Sequence, residues 1–222
     1  MRLALFDLDH TLIPFDSDYA WGEFTVALGW RDAASFSKAN DGFYADYKAG
    51  TLDIHRYVRF AIEAVRERGL KTARQAHERF MAEVVLPSVK DSALSLVRAH
   101  QAAGDTVVIV TATNEFVTRP IAQAFGVDEL IAIDLASDEH GEPTGEIRGT
   151  PSFREGKVAR VEQWLAARGL EWAGVQHSTF YSDSMNDMPL LEKVHEPVAT
   201  NPDARLQAIA LDRGWRTLNL FE

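Results

Sequence analysis

Residues 3–11, LALFDLDHT, join a short apolar run to two aspartates that follow it closely. Four apolar residues that end at a polar one predict a buried strand. If the extended backbone continues past the run, Asp7 and Asp9 lie on the same side of it. Two carboxylates so placed repel each other unless they share a cation or a proton. The other interpretation is a pair of solvated turn aspartates, since Asp is common in turns. This stretch alone supports both interpretations.

Further apolar runs alternate with segments of helical periodicity in the later part of the chain. The runs that predict strands are 106–111 (TVVIVT), 130–136, 179–181 and 198–199. This alternation predicts an α/β fold, a Rossmann-like parallel sheet flanked by helices. Ligands of such sheets gather beyond the carboxyl ends of the strands, where Asp7 and Asp9 are expected. Residues 137–143 (SDEHGEP) are dense in turn formers and predict a hairpin.

Residues 14–87 contain no convincing strand and predict an inserted α-helical bundle. The predicted N-caps are Ser17, Asp53 and Thr72, and the predicted helix ends are Gly29, Gly69 and Val84. The segment Asn40-Asp41-Gly42 predicts a break in the remaining helical stretch. The expected organisation is a core domain of residues 1–13 and 88–222, with a helical cap domain of residues 14–87.

Composition and charge exclude several classes of protein. The chain has 222 residues, of which 46% are hydrophobic and 25% charged, as in ordinary globular proteins. Its formal net charge of −10 argues against partners that are polyanions, such as nucleic acid or an anionic lipid surface. With no Cys it has neither a disulfide nor a thiol nucleophile. No apolar run approaches the ~18 residues that span a bilayer, so we expect a soluble cytoplasmic protein. The oligomeric state is not indicated.

A second polar cluster, YSDSMND at residues 181–187, follows another apolar run. Asp183 and Asp187 are four residues apart, and Asn186 is adjacent to Asp187. Hard oxygen ligands of this kind suit magnesium, which takes one or two carboxylates and keeps several waters. The alternative is a helix N-terminus rich in Ser and Asp with a purely structural role.

Two weaker signals acquire meaning from their order in the chain. Thr111 ends the TVVIVT run, and Lys157 opens a helical segment. Gly156-Lys157 does not form a P-loop, because position 158 is Val and Pro151 occupies the place of the first Gly. The seven His are scattered without an HExxH pattern, so a zinc site is not expected.

The ordered set Asp-x-Asp-x-Thr, Thr, Lys and Asp-x-x-x-Asp resembles the haloacid dehalogenase superfamily of phosphohydrolases. The helical insert resembles the cap of the phosphoserine-phosphatase-like branch. The resemblance implies that Asp7 is a nucleophile that forms an aspartyl-phosphate intermediate. It implies that Asp9 is the acid for the leaving alcohol and then the base for water. Asp9 also favours a phosphomonoesterase over a dehalogenase, which lacks the second aspartate.

The resemblance also implies a cofactor and a phosphate site. Magnesium would be held by Asp7, the backbone carbonyl of Asp9 and Asp183, with Asp187 and Asn186 supporting metal and phosphate. Thr111 would bind a phosphoryl oxygen, and Lys157 would neutralise charge on Asp7 and on the phosphoryl group.

The substrate would be a small phosphorylated metabolite chosen by the cap. Asp16 lies where phosphoserine phosphatases carry a Glu that binds the substrate amine, so Asp16 or Asp18 would receive a cationic group. Either of them could equally cap a helix. Arg56 and Arg59 could contact a carboxylate or could be solvated helix arginines.

An amino-alcohol or amino-acid phosphate, such as histidinol phosphate or phosphoserine, is the expected substrate. Two departures, His10 and Thr111-Ala112-Thr113 in place of Ser and Ser-Gly-Gly, weaken the phosphoserine assignment. The alternative function is a phospho-accepting signalling or binding module of the same fold, in which Asp7 takes phosphate and holds it.

Overall fold

The computed structural model describes residues 1–221, apart from the side chain of Lys48. Its strands are β1 (Arg2–Phe6), β2 (Thr106–Asn114), β3 (Glu129–Ile133), β4 (Leu135–Ser137), β5 (Pro143–Ile147), β6 (His177–Ser182), β7 (Glu196–Thr200) and β8 (Arg216–Leu218). Its helices are α1 (Ser17–Ala27), α2 (Ala33–Ala49), α3 (Ile54–Arg68), α4 (Leu70–Phe80), α5 (Leu86–Ser88), α6 (Asp91–Ala102), α7 (Glu115–Ala124), α8 (Glu155–Ala166), α9 (Met188–Leu191) and α10 (Ala204–Arg213). A π-helical turn, Met81–Val85, joins α4 to α5.

Six strands form one parallel sheet in the order β3-β2-β1-β6-β7-β8. The first strand of the chain is therefore central, between β2 and β6. Phe6 pairs with Ile109 on one side and with Tyr181 on the other. This register brings the residues that follow β1, β2 and β6 to one edge of the sheet. The predicted α/β fold with a parallel sheet and an inserted helical bundle is confirmed.

Both faces of the sheet are buried, which explains the continuous apolar runs in its strands. Leu3 and Leu5 of β1 pack in the layer under α8, α9 and α10. Ala4 and Phe6 point the opposite way, into a layer shared by α6, α7 and the inserted helices. Trp21 of α1 lies in that second layer, so the insert shares apolar packing with the core.

The inserted helices differ from the predicted ones at several ends. Asp53 and Gly69 bound α3 as expected. Asp16, and not Ser17, is the N-cap of α1, because its carboxylate accepts the amide N–H of Tyr19 at 2.8 Å. The N-cap predicted at Thr72 is also wrong: α4 begins at Leu70, where a carboxylate oxygen of Glu142 accepts the first free N–H at 2.8 Å.

The break predicted at Asn40-Asp41-Gly42 is wrong, since α2 runs unbroken through all three residues. Asp32 caps its start and Gly50, with a φ of 72°, ends it. Gly42 has an ordinary helical backbone with open space at its Cβ position. The turn propensity of three residues is small beside a 17-residue helix that is capped at its start and closed by a glycine.

The predicted hairpin is present as β4 and β5, which pair antiparallel. It packs against α3, where Arg59 forms an ion pair with Glu146 at 3.2 Å. A strand at 216–218 escaped prediction, because its residues are half exposed or exposed and lie at the edge of the sheet.

Candidate active site

A buried lysine joins two aspartates at the carboxyl edge of the sheet. The Nζ atom of Lys157 lies 2.7 Å from Oδ1 of Asp7 and 2.7 Å from Oδ2 of Asp187. The side chains of all three are at least nine-tenths buried. Burial alone would lower the pKa of Lys157, but the two carboxylates outweigh it and raise that pKa. Lys157 is therefore a fixed positive charge.

The backbone conformation before α8 places Lys157 at the edge of the sheet. Gly156 has no Cβ, and a Cβ there would collide with the carbonyl oxygen of Pro151. The close approach lets the first turn of α8 fold against the preceding loop, with Lys157 pointing to the end of β1. The surface lysine that an isolated sequence signal suggests is thus a buried one.

A single hydroxyl lies between Asp7 and a third carboxylate of the site, Asp183. Oγ1 of Thr11 is 3.2 Å from Oδ2 of Asp7 and 3.1 Å from Oδ1 of Asp183. It also accepts the backbone N–H of Asp183 at 3.1 Å. A hydroxyl has one proton, so it satisfies only one of the two carboxylate oxygens at a time. When the Thr11 hydroxyl donates to one of these two carboxylate oxygens, the other oxygen receives no hydrogen bond from it.

The carboxylates of this cluster carry more negative charge than the lysine offsets. Asp7, Asp183 and Asp187 with Lys157 give a formal charge of −2, which one divalent cation would bring to zero. Burial raises the pKa of Asp183 well above its ordinary value, and the charges of Asp7 and Asp187 add to the effect. Oxygen ligands, a charge of −2 and a shared hydroxyl proton fit magnesium.

The four predicted ligands are not gathered into one metal cage. Within residues 1–221, no three His, Asp or Glu side chains converge closely enough to hold a metal without other ligands. The side chain of Asp187 is bonded to Lys157 and to the hydroxyl of Ser182, both at 2.7 Å. Asp7 and Asp183 are the two carboxylates that share the Thr11 hydroxyl.

Asp9 is held from two sides. Its Oδ1 accepts the backbone N–H of Ser17 at 2.8 Å, and its Oδ2 accepts the hydroxyl of Thr113 at 2.7 Å. Burial, with the nearby charge of Asp16, raises the pKa of Asp9 to about 6. A carboxyl group with this pKa holds and releases a proton more readily near neutrality than an exposed aspartate.

Thr111 lies at the end of the sheet with its hydroxyl oriented by its neighbour. Its Oγ1 accepts the backbone N–H of Thr113 at 3.1 Å. Its backbone carbonyl accepts the hydroxyl of buried Ser152, from the loop before α8. The oxygen of Thr111 thus has one donor already, and its own proton remains available for an acceptor in the cavity.

A cavity of about 330 Å³ opens between the sheet edge and the inserted helices. Its lining includes the predicted residues Asp7, Asp9, Asp16, Thr111, Lys157, Asp183, Asn186 and Asp187. The opposite wall is aromatic and is formed by Tyr19, Phe43, Tyr44, Tyr47 and Tyr57. Tyr47 touches the core directly, since its hydroxyl lies 3.0 Å from Oγ of Ser184. The inserted helices thus cover the sheet edge.

The other predicted cap residues lie elsewhere. Asp18 is a buried partner of Asn114, whose Nδ2 donates to it at 2.8 Å. Arg59 is paired with Glu146 on the hairpin. Arg56 is exposed, with its guanidinium 5.4 Å from the ring centre of Phe43. None of these three lines the cavity.

Several residues of the site were given no role from the sequence. Thr11 ends the Asp-x-Asp-x-Thr pattern and Thr113 lies two residues after Thr111, but only the fold shows that their hydroxyls contact the aspartates. Asn201 has a φ of 48°, and its Nδ2 donates to the carbonyls of His10 and Thr11 at 2.8 and 3.1 Å. Its place just after a predicted strand is the one signal that marks it.

A family model for haloacid dehalogenase-like hydrolases matches residues 4–192, which span the whole cluster. The chain belongs to this family. A histidinol-phosphatase from Neisseria meningitidis serogroup C (strain 8013) is 42% identical over 218 residues, covering 98% of each chain. Family and relative together identify a phosphatase of the haloacid dehalogenase type.

Two solved structures place the fold. A protein of unknown function from Bordetella pertussis Tohama I is 49% identical, covers 99% of both chains and superposes with a TM-score of 0.93. A phosphoserine phosphatase determined as an analogue of its phospho-aspartyl intermediate has 16% identity and a TM-score of 0.68, covering 100% of this chain and 93% of its own. At that identity the likeness shows the fold alone. Within residues 1–221 no helix is long and apolar enough to cross a bilayer.

Proposed function

We propose that this phosphatase hydrolyses a small phosphomonoester through an aspartyl-phosphate on Asp7, with magnesium as cofactor. The observation that carries the proposal is the contact of Lys157 with Asp7, 2.7 Å long, where both residues line the cavity. A carboxylate that attacks a phosphate dianion must have its own charge offset. A buried, permanently charged ammonium on one of its oxygens supplies that offset.

The reaction has two steps. An Oδ atom of Asp7 forms a bond to phosphorus while the ester P–O bond breaks, and Asp9 gives its proton to the leaving alcohol oxygen. Asp9 then takes a proton from a water molecule whose oxygen attacks the phosphorus. The Asp7–phosphorus bond breaks, inorganic phosphate leaves and both carboxylates return to their starting state. The raised pKa of Asp9, about 6, supports its role as the proton carrier.

Charge compensation falls to the residues around Asp7. Lys157 offsets charge on Asp7 and on the phosphoryl oxygens, and the free hydroxyl proton of Thr111 is donated to one of those oxygens. Asp7, the backbone carbonyl of Asp9 and Asp183 would hold magnesium, with Asp187 and Asn186 in support. When bound, the metal supplies Lewis-acid stabilisation of charge on the phosphoryl group.

The inserted helices, residues 14–87, form the cap domain of this proposal, and residues 1–13 and 88–222 form the core. The cap presents one carboxylate, Asp16, and an aromatic wall to the cavity. A substrate with a cationic amine and a flat ring matches both features. We therefore propose an amino-alcohol or amino-acid phosphate as substrate. The 42% identity to a histidinol-phosphatase favours histidinol phosphate over phosphoserine within this class.

The test is phosphate release from histidinol phosphate, phosphoserine and an aryl phosphate, with wild type and Asp7→Asn. Each protein is assayed with magnesium and again with EDTA. We expect turnover of at least one phosphomonoester by wild type with magnesium, and loss of more than about 1,000-fold in the variant and in EDTA. Asp212→Asn changes an exposed carboxylate and is the matched control.

Three results would contradict the proposal. An Asp7→Asn variant as active as the wild type would refute the assignment of Asp7 as nucleophile. Full activity in EDTA would refute the requirement for magnesium. One phosphate bound per chain without turnover favours the phospho-accepting module instead.

A further inference from the structure

Thr113 contacts both Asp9 and Thr111, through two separate groups. Its hydroxyl donates to Oδ2 of Asp9 at 2.7 Å, and its backbone N–H donates to Oγ1 of Thr111 at 3.1 Å. It is itself buried, with 6% of its surface exposed. The proposed chemistry gives Thr113 no role, although two of its participants depend on it for their orientation.

The two donors on Asp9 belong to different parts of the molecule. Ser17, whose N–H contacts Oδ1, begins α1 of the inserted helices. Thr113, whose hydroxyl contacts Oδ2, lies in β2 of the parallel sheet. Without the Thr113 hydroxyl, the orientation of Asp9 would depend on the cap helix alone. With it, Asp9 is also fixed to the strand that carries Thr111.

This fixation matters because proton transfer depends on position. The oxygen of a general acid must lie within hydrogen-bond reach of the leaving oxygen, and a displacement of ~1 Å can cost on the order of 100-fold in rate. The phosphoryl group, in the proposed reaction, lies between Asp7 and Thr111. A residue that ties Thr111 and Asp9 together therefore sets the distance between the phosphoryl site and the acid.

We propose that Thr113 is a positioning residue that holds Asp9 for proton transfer to the leaving alcohol. This inference rests on the proposed function, in which Asp9 is the acid. The relevant group is the hydroxyl, because a substitution leaves the backbone N–H to Thr111 in place. Thr113→Val removes the hydroxyl at nearly constant volume, and Thr113→Ser keeps it.

The experiment compares two substrates that differ in their need for an acid. An aryl phosphate with an acidic leaving phenol departs with little help, whereas an alkyl phosphate such as histidinol phosphate needs a proton on its leaving oxygen. The measured rate is release of the leaving alcohol or phenol in the first turnover, because the later attack of water uses Asp9 as base for both substrates. For Thr113→Val we expect this rate to fall about 10- to 100-fold on the alkyl phosphate and less than about 3-fold on the aryl phosphate. Substrate binding changes little, and Thr113→Ser restores the rate.

Thr118→Val is the matched control. Thr118, in α7 just after β2, is also a buried threonine, and its hydroxyl donates to the carbonyl of Asn114 at 2.9 Å. We expect wild-type first-turnover rates on both substrates. If Thr113→Val fails to fold, Thr113→Ala replaces it in the same comparison.

Equal losses of the first-turnover rate on the two substrates, or no loss on either, would overturn the inference, as would a Thr113→Ser variant as impaired as Thr113→Val. These results differ from failure of the proposed function, which an active Asp7→Asn would reveal. A Thr113 variant that behaves like wild type beside an inactive Asp7→Asn overturns only the role of Thr113.

Discussion

Replacing Lys157 with Met should destabilise the fold before any substrate is bound. Lys157 is 2% exposed, and its ammonium makes contacts of 2.7 Å to both Asp7 and Asp187. Methionine has a similar length and no charge. The substitution thus leaves the buried carboxylates of Asp7 and Asp187 without their partner, beside the half-buried Asp183, and takes the formal charge of the cluster from −2 to −3.

The magnitude follows from the loss of a buried ionic partner. Breaking such a pair on one side costs on the order of 3–5 kcal/mol, because the remaining charge is left without compensation. A divalent cation would bring the variant cluster from −3 to −1. We therefore expect saturating magnesium to stabilise Lys157→Met by more than it stabilises the wild type.

The assay is urea unfolding followed by tryptophan fluorescence, in EDTA and in magnesium. Lys193→Met is the matched control, since Lys193 forms a half-exposed pair with Glu162 at 3.2 Å. Such pairs contribute about 0–1 kcal/mol. If Lys157→Met loses no more unfolding free energy in EDTA than Lys193→Met, the buried ion pair does not stabilise this fold and the charge argument fails.

Three further predictions concern the stability effects of other substitutions. Burial lowers the pKa of His77 from 6.5 to about 4. Between these two pH values the histidine is protonated in the unfolded chain and neutral in the folded chain, so stability falls as pH falls. His77 should contribute a loss of about 3 kcal/mol of unfolding free energy between about pH 7.5 and about pH 4, so His77→Gln should lose less than the wild type by that amount. Equal urea midpoint shifts in the two proteins would refute this. Gly156→Ala should cost about 1–3 kcal/mol and reduce phosphate release, because its Cβ collides with the Pro151 carbonyl next to Lys157. Gly42→Ala, inside α2 with open space at its Cβ position, should raise the free energy of unfolding by about 0.5–1 kcal/mol. A lower free energy of unfolding in this variant would contradict the open space at Gly42.

The sequence was sufficient for the fold class because its signals are local. A buried strand such as β1 appears as an apolar run, and its neighbours β2 and β6 appear in the same way. The order of strands and helices then restricts the topology to a parallel sheet. The start of α3 was predicted correctly at Asp53, where the cap is a local interaction.

Other features depend on contacts between distant segments. The N-terminus of α4 is satisfied by Glu142, 72 residues away, so no pattern around Thr72 marks it. In the same way, nothing near Thr11 in the sequence indicates that its hydroxyl lies beside Asp183. The roles of the site residues remain predictions, although the structure brings those predicted from motifs to one cavity.

The central position of β1 has a consequence for biosynthesis. Asp7 is made early, but its contact with Lys157 spans 150 residues and the contact of Thr11 with Asp183 spans 172. Contacts between residues so far apart in the sequence form late in folding. A chain still on the ribosome therefore has its helical insert before it has an active site. Nascent or truncated chains that end before residue 183 should lack phosphatase activity even where their helices are folded.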